Sequence, residues 1–162
     1  MAKSSSSLNL ISDSGMIKSA KRLYTALRKY APYKKIKDAI YISRVEGKGT
    51  SRFITVAINM NPATGGVPYA RAFDTGSGIH GKDRRKYIIT PRGGRFLQFA
   101  GTNQFAGQTI RTPVVEHPGV KGIGYTKKAI EESKPAIRAE IAKDVKENLR
   151  LYLKAQFSNL GK

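Results

Sequence analysis

The stretch Ala72-Phe73-Asp74-Thr75-Gly76 and the later turn His117-Pro118-Gly119 bracket the part of the chain that decides its fold. Between them lie a basic, glycine-rich loop, two short apolar segments and a second polar loop, and a long amphipathic segment stands on either side. The glycine and proline residues indicate tight turns, because both favour backbone conformations that end helices and strands. The pattern predicts short strands between two helices.

The length and composition are those of one globular domain. A chain of 162 residues can bury a single modest core, and 40% hydrophobic with 25% charged residues are ordinary globular values. No apolar run approaches the roughly 20 residues that cross a bilayer, and the serine-rich N-terminus lacks the apolar centre of a signal peptide. We therefore expect a chain that is made in the cytosol and does not associate with a membrane.

The chain has no cysteine, which excludes disulfides, thiol nucleophiles and zinc–thiolate sites. Thirty lysines and arginines against 11 acidic residues give a formal net charge of +19. Such a charge favours contact with a polyanion or with an acidic protein surface. The same charge would also keep free subunits soluble and apart, so charge alone does not select a partner.

The N-terminal part predicts an arm and then a helix. Residues 1 to 15 are serine-rich and predict a flexible N-terminal arm, which leaves residues 16 to 162 as a single α+β domain. Pro32 should end the helix. The core-facing residues of this helix recur at spacings of three and four: Met16, Ala20, Leu23, Leu27 and Tyr30.

Two antiparallel hairpins are predicted in the middle of the chain. Residues 38 to 46 and 52 to 60 flank the turn Gly47-Lys48-Gly49 and form the first hairpin. Residues 87 to 89 and 96 to 99 flank Pro91-Arg92-Gly93-Gly94, which indicates a second.

Residues 67 to 73 predict a short helical segment, and residues 110 to 116 a further strand. The fold class is therefore α+β: a small antiparallel sheet of about four to five strands, flanked by an N-terminal helix and a long C-terminal helix.

The C-terminal helix is predicted to start near Tyr125. Pro135 interrupts the pattern, so with Ser133 as a cap we expect a short helix, a break or kink, and then a main helix to about Phe157. An apolar stripe with a period near 3.6 would face a core or a neighbouring subunit: Ile130, Ile137, Ile141, Val145, Leu149, Leu153 and Phe157.

Catalytic motifs are sparse. His80 and His117 are the only histidines, and neither has a partner at a metal-binding spacing. Asp74, Asp83 and Glu116 would form a carboxylate cluster only if the fold brought them together. A small hydrolase using Asp74, Asp83 or His117 is therefore the weakest hypothesis, and we expect no enzymatic activity, no metal and no cofactor.

The loop from Gly76 to Lys86 is rich in glycine and positive charge. Its basic residues would suit contact with a nucleic-acid backbone, since each neutralised phosphate releases counterions. The sequence has no aromatic RNA-binding signature and no helix-turn-helix, so non-specific binding is the form to expect. A basic nucleic-acid-binding protein is thus the alternative function, with these candidate contacts: Lys82, Arg84, Arg85 and Lys86.

An ordered set of short motifs resembles the tail-completion, or head-to-tail joining, family of tailed bacteriophages. The resemblance covers about residues 20 to 150. Members more often carry Glu-x-Gly-Thr at the first motif and phenylalanine at the position of Tyr125. The matching pieces are Asp74-Thr75-Gly76, Ile89-Thr90-Pro91, Leu97-Gln98-Phe99 and Val115-Glu116-His117-Pro118-Gly119, followed by Tyr125 and Ala129.

The resemblance implies a structural virion protein that forms an oligomeric ring, usually six-fold, between the phage head connector and the tail tube or tail terminator. It would assemble in the host cytoplasm and reside at the head–tail junction. The elements that would contact its neighbours are the N-terminal arm, residues 76 to 86 and residues 100 to 109. In the last of these, Asn103 and Gln104 are further interface candidates. The basic loops would meet an acidic partner surface or, without sequence specificity, the DNA in the lumen.

The same resemblance implies structural roles for the motif residues. Gly76 and Gly119 would supply backbone conformations closed to other residues, Pro118 would fix the turn into the helix, and Asp74 would cap a helix or pair with an arginine. Four motif residues are expected in the core rather than at an interface: Phe73, Phe96, Phe99 and Val115.

Overall fold

The computed structural model describes residues 10 to 160 and is α+β, as the sequence predicted. The helices are α1 (Asp13–Tyr30), α2 (Lys34–Asp38), α3 (Ala70–Thr75) and α4 (Tyr125–Leu160). The strands are β1 (Ile40–Ile42), β2 (Val56–Ile58), β3 (Tyr87–Ile89), β4 (Leu97–Ala100), β5 (Thr109–Thr112) and β6 (Val115–His117).

The chain divides into two compact units where one domain was expected over residues 16 to 162. The helical unit comprises the chain up to Ala70 and from Tyr125 onwards, and the central unit comprises Arg71–Gly124. Helices α1, α2 and α4 and the hairpin β1–β2 belong to the helical unit. The other four strands belong to the central unit.

Helix α1 starts three residues earlier than predicted and ends where predicted. Ser12 is its N-cap, and the Ser12 hydroxyl accepts a hydrogen bond from the Gly15 amide at 3.0 Å. Residues 13 to 15, which the sequence assigned to the arm, therefore form the first turn of the helix. Residues 1 to 9, which make up most of the predicted arm, lie outside the described residues.

One end of the α1–α4 pair is held by the Asp144 carboxylate. It accepts hydrogen bonds from the Ser12 amide at 2.6 Å and from the Ser12 hydroxyl at 2.8 Å. Gly15 makes room for this carboxylate, because a Cβ on Gly15 would lie less than 3.0 Å from its carbon and one oxygen. This contact and the contact between Lys29 and Glu132 at the other end show that the two helices are antiparallel.

The other end of the pair is held by Glu132. The Lys29 ammonium donates to both carboxylate oxygens, at 2.9 and 2.7 Å, and the Tyr30 hydroxyl donates a short hydrogen bond. The hydrogen bond from Lys29, followed by that from Tyr30, holds the pKa of Glu132 below its ordinary value. The same bonds to the carboxylate raise the pKa of Lys29 and of Tyr30. These pKa shifts favour the ionised Glu132 and the protonated Lys29 and Tyr30, which are the states that form the contact.

The core of the helical unit is small. Tyr125 is almost fully buried, and its hydroxyl donates to the Ala70 carbonyl at 3.1 Å. From the predicted α1 stripe, Ala20 and Leu27 are buried, while its other members are only half-buried. The buried apolar residues are Ala20, Ala26, Leu27, Ala31, Ile36, Ile40, Val67, Ala70, Tyr125 and Ala129.

The first predicted hairpin is confirmed. Strands β1 and β2 pair antiparallel with Tyr41 opposite Ala57, and an isolated bridge joins Glu46 to Phe53 beyond them. Gly47 takes a φ of +85° in the turn, which suits a residue without a Cβ.

The prediction of a second hairpin is wrong, because its two strands pair with other strands. Strand β3 pairs antiparallel with β6, and β4 pairs antiparallel with β5. Residues 90 to 96 separate β3 from β4, which is long for a tight hairpin, and Pro91 lacks the amide that would continue a ladder. The strands thus form three two-stranded sheets instead of the single sheet expected.

Of the break or kink predicted at Pro135, the break is absent, because α4 continues through this residue as one helix. Proline lacks the amide that would bond to the Glu131 carbonyl, and both residues are exposed, so water can satisfy that carbonyl. Ser133 is not a cap. It is buried, and its hydroxyl donates to the Ala129 carbonyl at 2.7 Å within the helix.

The central unit has no buried residue among its 54, all of which the structure describes. Phe96 and Phe99, expected in a core, are 56% and 41% exposed, and Phe73 and Val115 are half-buried. The expectation failed because the β4–β5 ribbon has only two strands, which cannot enclose a side chain on either face.

Within residues 10 to 160, no helix is both long enough and apolar enough to span a bilayer.

Replacing Asp144 with alanine should lower the free energy of unfolding by about 1–3 kcal/mol, because it leaves the Ser12 amide and hydroxyl without their acceptor. Urea unfolding followed by circular dichroism measures the change. Lys143→Ala is the matched control on an exposed neighbouring position, with an expected change within about 0.5 kcal/mol. Equal midpoints for the two variants would contradict the role of Asp144.

Candidate functional site

The chain just after Ala72-Phe73-Asp74-Thr75-Gly76 meets the turn at His117-Pro118-Gly119 within the central unit. The Ser77 amide donates to the Val120 carbonyl at 2.8 Å, and the Ile79 amide donates to the Pro118 carbonyl at 2.8 Å. The Ser77 hydroxyl also accepts a hydrogen bond from the Val120 amide at 3.0 Å. We call this contact between residues 76–79 and 118–120 the glycine junction.

Two glycines allow the two segments of the junction to approach each other. A Cβ on Gly78 would lie less than 3.0 Å from the Pro118 carbonyl, and one on Gly119 less than 3.0 Å from the Ser77 carbonyl. Both also have positive φ, +61° at Gly78 and +97° at Gly119. Any side chain at either position would meet backbone atoms that cannot move without breaking the junction.

Gly76, the glycine of the first motif, has the backbone conformation closed to other residues that was predicted for it. Gly76 follows α3 with a φ of +86°, and its amide donates to the Ala72 carbonyl at 2.9 Å. Asp74 lies in the last turn of α3, where its backbone carbonyl accepts a hydrogen bond from the Gly124 amide at 3.0 Å. The Phe73 carbonyl accepts from the Ile123 amide at 2.9 Å. These bonds join the two ends of the central unit.

His117 connects the junction to the β3–β6 sheet. Its Nδ1 accepts a hydrogen bond from the Gly119 amide at 2.9 Å, which leaves Nε2 as the protonated nitrogen of the neutral ring. The ring stacks on Tyr87, its partner across the sheet, with centroids 5.0 Å apart and planes 27° apart. The second motif therefore turns the chain and also holds an aromatic pair in place.

The basic loop lies directly beside this pair. Lys86 forms an ion pair with Glu116 at 3.3 Å across β3 and β6. Within the part of the chain that the structure describes, Lys82, Arg84 and Arg85 form no ion pair. Among the described residues, the loop thus carries three cations that no carboxylate contacts as an ion pair, with Asp83 as the loop's one acidic residue.

The other predicted site residues lie elsewhere in the central unit. Asn103 and Gln104 are exposed in a 3-10 turn, Asn103–Phe105, that connects β4 to β5, and Asn103 has a φ of +55°. Pro91 follows β3 and is half-buried. The structure does not bring Asn103 or Gln104 into the junction.

The carboxylates and histidines do not assemble a metal site. Among residues 10 to 160, no three His, Asp or Glu side chains lie close enough to hold a metal ion together. His117 is engaged with Gly119 and Tyr87, and Glu116 is paired with Lys86.

Four residues of the site were not singled out from the sequence for their part in it. Ser77, Ile79 and Val120 contribute to the junction's hydrogen bonds, and Tyr87 stacks on His117. The signal that could have identified the junction is the repetition of glycine at alternate positions, Gly76 and Gly78, opposite Pro118-Gly119. Nothing in the sequence alone shows that Tyr87 faces His117, because that depends on which strands pair.

No protein-family model, no curated protein and no solved structure matches this chain.

Replacing Gly78 with alanine should destabilise the central unit by roughly 3 kcal/mol or more, because the methyl group adds a backbone clash to the cost of positive φ. Gly124→Ala is the matched control: its φ is +64°, close to the +61° of Gly78, but open space surrounds its Cβ position. The control should cost only about 1–2 kcal/mol.

Amide hydrogen exchange of Ser77 and Ile79 measures the difference between the two variants, because both amides are bonded across the junction. An equal decrease of protection in the two variants would show that the cost comes from φ alone and that close packing contributes nothing.

Proposed function

We propose that this chain is a structural, non-enzymatic virion protein that forms an oligomeric ring, six-fold in symmetry, and joins the phage head connector to the tail. The ordered motifs from Asp74 to Gly119 support this function through their resemblance to the tail-completion family. On this proposal the protein is a tail-completion, neck or tail-terminator component, located at the head–tail junction of the virion after assembly in the host cytoplasm.

The observation that carries the proposal is the missing core of the central unit. A folded segment of 54 residues without one buried side chain is incomplete as an isolated body. Neighbouring subunits in a ring would cover its apolar side chains and supply the burial that the single chain lacks. The large exposed ones are Ile79, Tyr87, Ile88, Phe96, Phe99, Phe105, Val114 and Ile123.

The end of helix α4 supports the same proposal. Among the described residues, the hydrogen bond between α4 and the N-terminal part of the chain that lies furthest along α4 is that of Asn148, whose side-chain amide donates to the Leu10 carbonyl at 3.1 Å. Every side chain from residue 149 to residue 158 is exposed, over about 15 Å of helix. Leu151 and Phe157 in this segment are 64% and 68% exposed. In a ring, a neighbouring subunit would cover these exposed side chains.

Immunogold electron microscopy of tailed phage particles from the culture that makes the chain tests the proposal. Gold-labelled antibody against the chain should mark the head–tail junction. Abundant tailed particles without label would contradict the ring, once binding of the antibody to partly disrupted particles shows that the epitope is accessible.

A second test targets the exposed end of α4. The double variant Leu151→Gln and Phe157→Gln, supplied to phage that lack the wild-type chain, should lower the yield of joined particles by at least about tenfold, because each substitution removes apolar surface worth roughly 1.5–3 kcal/mol when buried. Unjoined heads and tails should accumulate instead, as counted by electron microscopy.

Lys154→Gln is the control, because it places the same side chain on the same exposed segment without removing a large apolar group. It should leave the yield unchanged. Wild-type yields from the double variant would show that this segment is not an assembly surface. Circular dichroism must first show that both variants fold.

Non-specific nucleic-acid binding is the second candidate function, and the unpaired charges of the basic loop favour it. A net charge of +19 and three loop cations without an acidic partner among the described residues attract phosphate groups. Within a ring, these cations would face the DNA in the lumen or an acidic surface of a partner.

A further inference from the structure

A cleft in the central unit combines positive charge with an aromatic wall. It measures about 750 Å³ and is open to solvent. The aromatic wall is Tyr87, and three glycines also line the cleft, where their lack of side chains lets a ligand approach the backbone. The lining residues other than Tyr87 are Gly76, Ser77, Gly78, Gly81, Lys82, Asp83, Arg85 and Lys86.

The charge of the cleft suits a phosphate group. Asp83 is the one acidic residue that lines it, against Lys82, Arg85 and Lys86. Lys86 is already paired with Glu116 at 3.3 Å, whereas Lys82 and Arg85 have no ion pair within residues 10 to 160. Two cations are therefore available to an anion without first breaking an existing ion pair.

The backbone of the loop brings these cations to the same cleft. Arg84 has a φ of +48°, a left-handed conformation that costs a non-glycine residue roughly 1–2 kcal/mol. It is also the one residue from Gly81 to Tyr87 that does not line the cleft. The Arg84 amide donates to the Gly81 carbonyl at 3.3 Å and closes a turn there, and residues on both sides of Arg84 line the cleft.

The aromatic wall is held in a fixed orientation. One face of the Tyr87 ring stacks on His117, whose own ring is fixed by the hydrogen bond from the Gly119 amide at 2.9 Å. Tyr87 remains 40% exposed and borders the cleft. A planar group in the cleft would thus find an aromatic surface that is already ordered, which lowers the entropic cost of stacking.

We propose that this cleft binds a single-stranded nucleic acid without sequence specificity, with a phosphate between Lys82 and Arg85 and a base stacked on Tyr87. Basic grooves beside aromatic platforms are the general means of holding unpaired strands. A duplex would supply the phosphate but not a free base, and an acidic peptide would use the charges without the ring. The proposal rests on the second function above and is independent of ring assembly.

Fluorescence anisotropy with the full-length chain tests the proposal, using three fluorescein-labelled probes: a deoxythymidine decamer, an abasic strand of ten sugar–phosphate units and a ten-base-pair duplex. The thymidine strand should bind more tightly than either of the others. Tyr87→Leu should weaken its binding at least about fivefold and leave abasic-strand binding unchanged, since stacking requires a base.

Tyr41→Leu is the control for that variant, because Tyr41 is an exposed strand tyrosine remote in sequence from the cleft. The pair Lys82→Gln and Arg85→Gln should weaken binding of both single strands and reduce the slope of log K against log salt by about 0.7 for each phosphate that is no longer neutralised. The pair Arg138→Gln and Lys143→Gln removes the same charge from α4 and should weaken binding of the single strands less.

The outcomes separate this proposal from the broader function. If the wild-type chain binds no probe, both are wrong. If it binds but Tyr87→Leu behaves like Tyr41→Leu, or both charge pairs weaken binding equally, the cleft is not the site and only general attraction remains. Equal affinity for abasic and thymidine strands would likewise overturn the role of Tyr87. Circular dichroism and thermal unfolding confirm that each variant is folded.

Discussion

The central unit depends on a backbone contact, the glycine junction, more than on any side-chain core. Ser77 and Val120 are 43 residues apart in sequence, yet their backbones lie within hydrogen-bond distance because neither Gly78 nor Gly119 carries a side chain. The pairing of β3 with β6 follows, since β6 ends directly before the junction. With no buried residue to reinforce it, this unit relies on geometry that only glycine permits.

The two units distribute apolar groups in opposite ways. All fully buried side chains that the structure describes lie in the helical unit, whereas the central unit exposes large apolar residues on its strands and loops. The proposed function accounts for this difference: the helical unit would fold around its own core, and neighbouring subunits of the ring would complete the central unit. The high positive charge would oppose premature contact between free copies, because like charges repel until a partner compensates them.

The sequence predicted local features well and long-range pairing poorly. The end of α1 before Pro32, the start of α4 at Tyr125 and the first hairpin follow from signals carried by adjacent residues. The exchange of partners between β3 and β4 does not, because short apolar strands such as Tyr87–Ile89 fit several neighbours equally well. Positive φ at Gly76 and Gly119 was predictable, but the stacking of Tyr87 on His117 depends on a register that tertiary structure sets.

The antiparallel pair of α1 and α4 also constrains the order of events during synthesis. Ser12 and Asp144 are separated by 132 residues, so the part of α4 that contacts the first helix leaves the ribosome well after that helix does. At typical rates of translation the delay is on the order of ten seconds. For that interval the apolar face of α1 has no native partner from α4, and a nascent chain in this state is a natural substrate for chaperones. The helical unit can therefore be completed only after α4 has been synthesised.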